Sequence, residues 1–381
     1  MRKHGGTRLG SRSGKISKTM LIAMVGTFFT ARLALGGLSP APPNFIGWIV
    51  GNGGTILHTS DGGVTWSRQT VGTTGLLYAV AFPDVRDGWV AERDSGTILH
   101  TSNGGATWSP QIKHPPINGI AFPDALDGWA VSHDGSGDIL HTSDGGDTWS
   151  TQATGLGNYF FGVAFPDVQH GWAVATLEID AGTILHTSNG GAMWSEQARA
   201  LTPPLHGVAF VDARNGWAVG ERGAIIHTGD GGASWTVQPT GTRQELVSVA
   251  FVDAHSGWAV GDGGTILHTS DGGISWSTQP TATGTTECLH GVAFPDARNG
   301  WAVGEEGTIL HTSNGGATWV PQTSGTTYDL LAIAFLSTAP RARGPRTEVR
   351  ARNPGPTPVS WPSAANSCYG GVVFPGFQNF T

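Results

Sequence analysis

Residues Gly257–Trp276 read GWAVGDGGTILHTSDGGISW, and this stretch decides the fold. Two short runs rich in β-branched residues flank Gly-Asp-Gly-Gly, and the second run closes on Ser-Asp-Gly-Gly followed by Trp. Runs this short, bounded by Gly, Asp and Asn, read as strands of a meander, since a helix needs a longer apolar period and few glycines. The pattern recurs seven times at intervals of about 42 residues. Its first Trp falls at Trp48, Trp89, Trp129, Trp172, Trp217, Trp258 and Trp301, and its second at Trp66, Trp108, Trp149, Trp194, Trp235, Trp276 and Trp319. Trp361 is the one Trp outside the repeat.

The full unit is l-x-G-V-A-F-P-D-x-x-x-G-W-A-V-G followed by G-T-I-L-H-T-S-D-G-G-A-T-W-S-x-Q. In one copy its four runs are Leu289–Phe294, Trp301–Val303, Thr308–Thr312 and Thr318–Gln322. Four antiparallel strands per unit, seven times over, define an all-β, seven-bladed β-propeller of four-stranded blades. The first copy starts at Gly47-Trp48 with its second strand, and no VAF-like run precedes it. The missing first strand is Leu330 to Phe335, after the last Trp. The C-terminal strand is therefore expected to complete the first blade, close the ring and remove two open sheet edges. The propeller spans 47–335.

Charge divides the 381 residues into three parts. Residues 1–40 carry seven Lys or Arg and no acid, residues 336–381 carry five Arg against Glu348, and the body between them holds 9 basic and 27 acidic residues. An acidic body excludes nucleic acid as the partner, because phosphate binding needs clustered Lys and Arg. Arg2, Lys3, Arg8, Arg12, Lys15 and Lys18 precede the apolar run MLIAMVGTFFTA at Met20 to Ala31, with Ala34 and Gly36 as small residues after it. Residues 1–36 thus read as a signal peptide, with an uncleaved N-terminal anchor as the alternative, and an exported protein is expected. Residues 336–381 are Pro/Arg-rich without strand periodicity and read as a disordered tail. The two cysteines, Cys288 and Cys368, define neither a disulfide framework nor a zinc site, and the sequence leaves a single bridge between them open.

The turn between the third and fourth strands is the sharpest local signal. It reads TSDGGVTW at Thr59–Trp66 and TSNGGATW at Thr101–Trp108 and Thr312–Trp319. Its third position is Asp61, Asp144, Asp230 and Asp271 in four copies and Asn103, Asn189 and Asn314 in three. A short acceptor side chain there can bind backbone N–H groups two or three residues on. Asn serves as well as Asp, so these positions are structural staples and not catalytic acids. A histidine also recurs in every third strand: His58, His100, His141, His186, His227, His268 and His311. Equivalent atoms on a ring of ~10 Å radius lie ~9 Å apart, whereas zinc needs ligand nitrogens at ~2 Å. No metal or other cofactor is expected, and each His is assigned a blade-to-blade hydrogen bond.

The TSDGGVTW turns look like the Asp-box of BNR repeats, S/T-x-D-x-G-x-T-W, of sialidases, sortilin-type receptors and related propellers. The longer phrase at Gly257–Trp276 resembles the repeat of the photosystem II stability and assembly factor family, over Gly47 to Phe335. That resemblance implies an exported, non-catalytic scaffold whose protein partner is a subunit of a membrane complex on the lumenal or periplasmic side; a monomer is expected. The alternative is a secreted sialidase-like glycoside hydrolase or glycan-binding protein. Sialidase chemistry needs three Arg for the substrate carboxylate, a Tyr nucleophile with a Glu partner and an Asp acid/base. The repeat region has only Tyr78, Tyr159 and Tyr328 and eight Arg, none in a supporting motif. The glycine-rich GDGG and GNGG segments join two strands with no helix after them, so they are hairpin turns and not phosphate loops.

Where the copies disagree, recognition can be encoded on a rigid scaffold. The first-to-second and third-to-fourth strand turns repeat nearly unchanged and share one face of the disc. The second-to-third strand turns and the blade-to-blade loops share the other face and differ. The candidate recognition face therefore comprises Glu92, Arg93, Asp94, His133, Asp134, Glu178, Asp180, Glu221, Arg222, Glu305 and Glu306, with Tyr159 and Arg243, and Lys113, His114 and Phe160, from the blade-to-blade loops.

Overall fold

A computed structural model describes residues 45–153, 159–177, 181–201, 203–281 and 284–338. Among them the strands form seven four-stranded antiparallel sheets. In one representative blade the strands are Leu246–Phe251, Gly257–Gly261, Thr265–Thr269 and Ser277–Thr278, running from the axis outward. Six blades follow this order. The first blade instead takes its inner strand, Leu330–Ser337, from the far end of the sequence and pairs it with Phe45–Gly51, followed by Thr55–Thr59 and Ser67–Arg68. Phe45 lies opposite Ser337, and Ile49 opposite Ile333. Each inner strand packs on the next, from Leu77–Ala81 round to Leu330–Ser337 and back again, so the ring is closed.

The sequence repeat becomes a fold at the blade junctions. The first Trp of each blade stacks flat on the Phe that ends the inner strand of the next. Ring centroids lie 3.6 Å apart for Trp48–Phe82, 3.7 Å for Trp89–Phe122, 3.6 Å for Trp129–Phe165 and 4.3 Å for Trp172–Phe210. They lie 3.5 Å apart for Trp217–Phe251 and Trp258–Phe294, and 3.8 Å for Trp301–Phe335. The last pair joins the seventh blade to the strand contributed by the C-terminal end. Each stack is worth about 0.5–1.5 kcal/mol beyond the area it buries. The Phe can reach across because Gly precedes every first Trp: a Cβ on Gly88 would overlap the Phe82 ring, and Gly257 and Phe251 repeat the relation.

Polar groups follow the same junction. The indole N–H of Trp48 donates to Gly104 O of the next blade at 3.1 Å, and Trp89, Trp217 and Trp258 donate to Gly145, Gly272 and Gly315 in the same way. The Gln of the outer strand adds a second donor to that carbonyl, from Gln69 Nε2 to Gly104 O at 3.0 Å and from Gln111 Nε2 to Gly145 O at 2.8 Å. Gln69 Oε1 accepts the indole N–H of Trp108 in the next blade. These buried polar groups are thus satisfied across the seam.

The histidines are placed differently from the expectation. Among the described residues no blade-to-blade hydrogen bond recurs at this position; six of the rings stack on the first Trp of their own blade and His58 lies tilted against Trp48 at 5.3 Å. The Trp89–His100 centroids lie 4.7 Å apart and Trp129–His141 4.6 Å. The polar contacts of these two rings also stay within the blade, at 3.5 Å to Asp87 and 3.3 Å to Asp127. The indole is sandwiched between its own His and the neighbour's Phe. Each His is the direct cross-strand partner of its Trp, Trp89 opposite His100 and Trp129 opposite His141, which sets the two rings together on one face of the blade. Burial pushes the imidazoles of His58, His227, His268 and His311 below their ordinary pKa, and those of His100 and His141 likewise, against the opposing pull of Asp87 and Asp127.

Two outcomes are expected. Phe335→Ala, which removes the closing stack, should cost about 3–5 kcal/mol in urea denaturation, while exposed Val64→Ala should stay within about 0.5 kcal/mol. The buried histidines favour the neutral ring, so their contribution is complete above the ordinary imidazole pKa of 6.5 and is lost as pH falls below it. The denaturation midpoint should therefore fall between pH 7 and 5, with a shallower slope in His268→Gln.

Candidate functional site

The two faces of the disc are held by different devices. On the regular face, Asp61 Oδ1 accepts the Thr65 N–H at 2.9 Å and the Thr59 hydroxyl at 2.8 Å, while Oδ2 accepts the Thr65 hydroxyl at 2.6 Å. The acceptor thus reaches four residues on, further than the sequence reading placed it, because the two glycines, at φ 71° and 80° for Gly62 and Gly63, fold the turn back over the side chain. Asp144, Asp230 and Asp271 repeat the arrangement. Asn103, Asn189 and Asn314 accept the corresponding backbone N–H through Oδ1. Asn103 and Asn314 donate from Nδ2 to the Thr hydroxyl, reversing only that bond. The side-chain bonds from Thr148 and Ser275, then the backbone N–H groups, pull Asp144 and Asp271 down to about 2.

On the variable face every described second-to-third strand turn is anchored by one backbone bond. The N–H of its first residue donates to the residue preceding an inner strand: Asn52 to Asp329, Arg93 to Leu76, His133 to Pro116, Glu221 to Pro204, Asp262 to Glu245 and Glu305 to Cys288, all at 2.9–3.1 Å. Because the backbone carries the anchor, the side chain at this position is free to differ between blades. Each inner strand also carries a β-bulge beside this turn, leaving one extra residue: Tyr78, Asn118, Phe161, His206, Val247, His290 and Leu331. A bulge re-aims its residue out of the alternation of the strand. Six of the seven are buried and Phe161 is half-buried, so these residues pack between the inner strands and the turns above them.

Together the two positions form a continuous arc. The Arg93 guanidinium lies 4.8 Å over the Tyr78 ring and donates to its hydroxyl at 3.3 Å. His133 lies 5.5 Å from the Tyr159 ring, 4.7 Å from Phe161 and 3.0 Å from Phe160 O through Nδ1. Phe161 meets His206 edge-on at 4.9 Å, and His206 Nε2 lies 3.1 Å from Glu245 Oε1. Burial, reinforced by Glu245 and Glu305, pushes the Asp262 carboxyl up. The face is therefore graded: Arg93 and a run of aromatic and imidazole rings line the second to fifth blades, with Asp94 and Asp134 exposed beside them, and carboxylates gather from Glu245 to Glu305. Burial also pushes the His133 imidazole down.

Most of the residues singled out from sequence meet here, with exceptions. Glu92 is 9 % exposed at the end of its strand Gly88–Glu92, one residue before the turn begins, and Phe160 is in the core, because the inner strand Tyr159–Ala164 starts before it and takes in residues expected in a blade-to-blade loop. Asp94, Asp134, Arg222, Arg243 and Glu306 are exposed, whereas Arg93, His133, Glu221 and Glu305 are half-buried. Arg222 and Glu306 hold the left-handed position of short 3-10 turns, at φ 55° and 52°. The Glu306 N–H donates to Asp329, and Glu305 Oε2 accepts the Cys288 N–H at 3.1 Å. His114 lies 3.7 Å from Asp138. Glu178 and Asp180 lie outside the described residues. Tyr78, Asn118, Phe161, His206, Glu245, Asp262 and His290 went unselected, although the unassigned x of the l-x-G-V-A-F template marks the bulge positions. Among the described residues no group of three or more His, Cys, Asp or Glu is arranged to hold a metal ion.

Fold and site define a ring-closed seven-bladed propeller that carries blade-specific side chains on one face. The chain belongs to the family described as photosynthesis system II assembly factor YCF48, whose model matches residues 43–116, 153–239, 200–283 and 238–323, more than half of the sequence. A solved structure of YCF48 bound to D1 peptide is 20% identical, with a TM-score of 0.56 over 70% of this chain and 92% of that one. YCF48 from Cyanidioschyzon merolae is 21% identical, with a TM-score of 0.57 over 72% and 97%. A GH74 xyloglucanase from Xanthomonas campestris is 14% identical, with a TM-score of 0.57 over 75% of this chain and 53% of that one. These likenesses show the fold. No curated protein matches the chain.

The turn chemistry can be checked by substitution. Asp271→Asn should leave stability at pH 7 nearly unchanged, and Asp271→Ala should lower the melting temperature. The Asp271 carboxylate is held well below its ordinary pKa of 3.8, so its contribution is complete above that value and lost as pH falls through about 2. Asp271→Asn should remove that part of the acid-induced loss in denaturation curves taken between pH 4 and 2.

Proposed function

We propose that the chain is a non-catalytic assembly factor that binds a peptide segment of a membrane-complex subunit on its variable face. Membership of the YCF48 family carries this reading, and the D1 peptide bound to a relative names the class of ligand. The arrangement of the face supports it. Backbone anchoring and bulges hold differing side chains over rigid blades, which keeps the ordering cost of binding low. The arc offers Arg93 to a carboxylate and the Tyr159, Phe161 and neutral His133 rings to apolar side chains. The acidic arc, Glu245, Asp262 and Glu305, faces basic ones and disfavours the reverse orientation. The basic, apolar N-terminal sequence supports export, and its retention would add a membrane attachment. A glycan ligand, suggested by the propeller shared with a xyloglucanase, is the second reading.

Titrating labelled D1 peptide into the purified protein tests this by fluorescence anisotropy. Saturable binding is expected, weakened at least tenfold by Arg93→Ala, which removes a charge-assisted contact, and left unchanged by Asp61→Asn on the opposite face. An absence of binding, or equal weakening by both variants, would overturn the proposal. Turnover of fluorogenic glycosides would favour the second reading.

A further inference from the structure

Asn-Gly occurs seven times among the described residues, at Asn52, Asn103, Asn118, Asn189, Asn215, Asn299 and Asn314. The pair is chemically labile. Glycine has no side chain to obstruct its own nitrogen, and the asparagine Cγ lies within reach of that nitrogen in the same chain. Folding decides which pairs can react, because the glycine nitrogen must be unengaged and the amide free to swing onto it.

Six of the seven are held. After Asn103, Asn189 and Asn314 the glycine N–H donates to Arg86 O, Gln169 O and Arg298 O, at 2.8, 2.6 and 2.8 Å. The Oδ1 atoms of the same three residues accept the N–H four residues on. Asn118 is fully buried in an inner strand and donates to Phe160 O. Asn215 and Asn299 donate through Nδ2 to both carboxylate oxygens of Asp212 and Asp296 respectively, and their glycines begin strands.

Asn52 differs. Gly53 lies in a turn at φ 64°, and among the described residues its N–H has no hydrogen-bond partner. Asn52 Oδ1 is buried without a partner, so a single bond, Nδ2 to Asp329 Oδ2 at 2.8 Å, restrains the amide. Both residues are half-buried, and Gly53 lines an open groove with Gly54, Arg68 and Gln69–Thr74, through which solvent reaches the turn. We propose that Asn52-Gly53 is the deamidation site of the folded protein and that its conversion loosens ring closure.

The reaction consumes one water and releases one ammonia. The Gly53 nitrogen, its proton lost to solvent base, bonds to Asn52 Cγ. The Cγ–Nδ2 bond breaks, and Nδ2 leaves as ammonia with a proton taken from water. Water then opens the cyclic imide at either carbonyl, giving aspartate or, with the chain rerouted through Cγ, isoaspartate. The consequence follows from Asp329, the residue before the closing strand Leu330–Ser337. Its Oδ1 accepts the Glu306 N–H of the seventh blade at 3.1 Å, while its Oδ2 and backbone carbonyl accept Asn52 of the first. Asp329 thus bridges the two blades that meet at the closing seam. Deamidation replaces the Nδ2 donor with a carboxylate oxygen facing Oδ2, and attraction becomes like-charge repulsion.

The full chain, aged in mildly alkaline buffer below its melting temperature, can be followed by peptide mapping that separates aspartate from isoaspartate. The Asn52 peptide should convert to both products at least roughly tenfold faster than those holding Asn103, Asn215 and Asn314, an advantage lost in the urea-unfolded chain. An Asp-turn asparagine converting as fast as Asn52, no conversion at Asn52 while the unfolded chain reacts, or an equal advantage in the unfolded chain would overturn the site. Asn52→Asp should lower the melting temperature at neutral pH by about 2 °C. Adding Asp329→Asn, which exchanges amide and carboxylate, should restore it. An unchanged melting temperature in Asn52→Asp, or no recovery in the double variant, would overturn the link to closure.

Discussion

Each blade boundary depends on an indole lying flat against the phenyl ring of the next blade, and the remaining structure is arranged around that contact. The Gly before the Trp clears room for the ring behind it, the His two strands out covers the other indole face, and the outer-strand Gln satisfies the neighbouring turn carbonyl. A single repeat cannot bury its apolar faces on its own. Stacking seven of them through the same contact makes one continuous core, and the stability belongs to the ring.

Closure is the consequence that carries the greatest risk. A ring assembled from sequential blades would be held between its first and last blade by side-chain packing alone. Here the sequence starts one strand late and supplies that strand from the other end, so Phe335 meets Trp301 as Phe294 meets Trp258. The first blade is thereby held together by chain segments nearly three hundred residues apart, a long-range contact formed only after most of the chain is in place.

The two faces divide the labour. The Asp and Asn turns of the regular face are tied down by their own side chains, which leaves those side chains little freedom to serve anything else. The turns of the variable face are tied down by the backbone, so Arg93, His133, Asp262 and Glu305 can occupy equivalent positions with different chemistry. Family membership and a peptide-bound relative are the grounds on which we propose a use for that freedom.

Blade number, strand order within a blade and closure by the last strand were all legible in the sequence, because Trp, Gly and the Asp or Asn turn recur at nearly fixed spacing and each imposes its conformation locally. Arg93, His133 and Glu305 were legible as sites of divergence for the same reason. Their companions were not. Tyr78 meets Arg93 within the second blade and Glu245 meets Asp262 within the sixth, both through bulge and turn geometry. Phe161 meets His133 and His206, and His206 meets Glu245, only across blade junctions. The stacking of His100 on Trp89 was likewise hidden, as nothing in the spacing tells which way a third-strand ring turns. Local periodicity determined the elements and their closure. Which side chains share the variable face was decided by the bulges and backbone anchors of the assembled ring, where residues remote in sequence become neighbours.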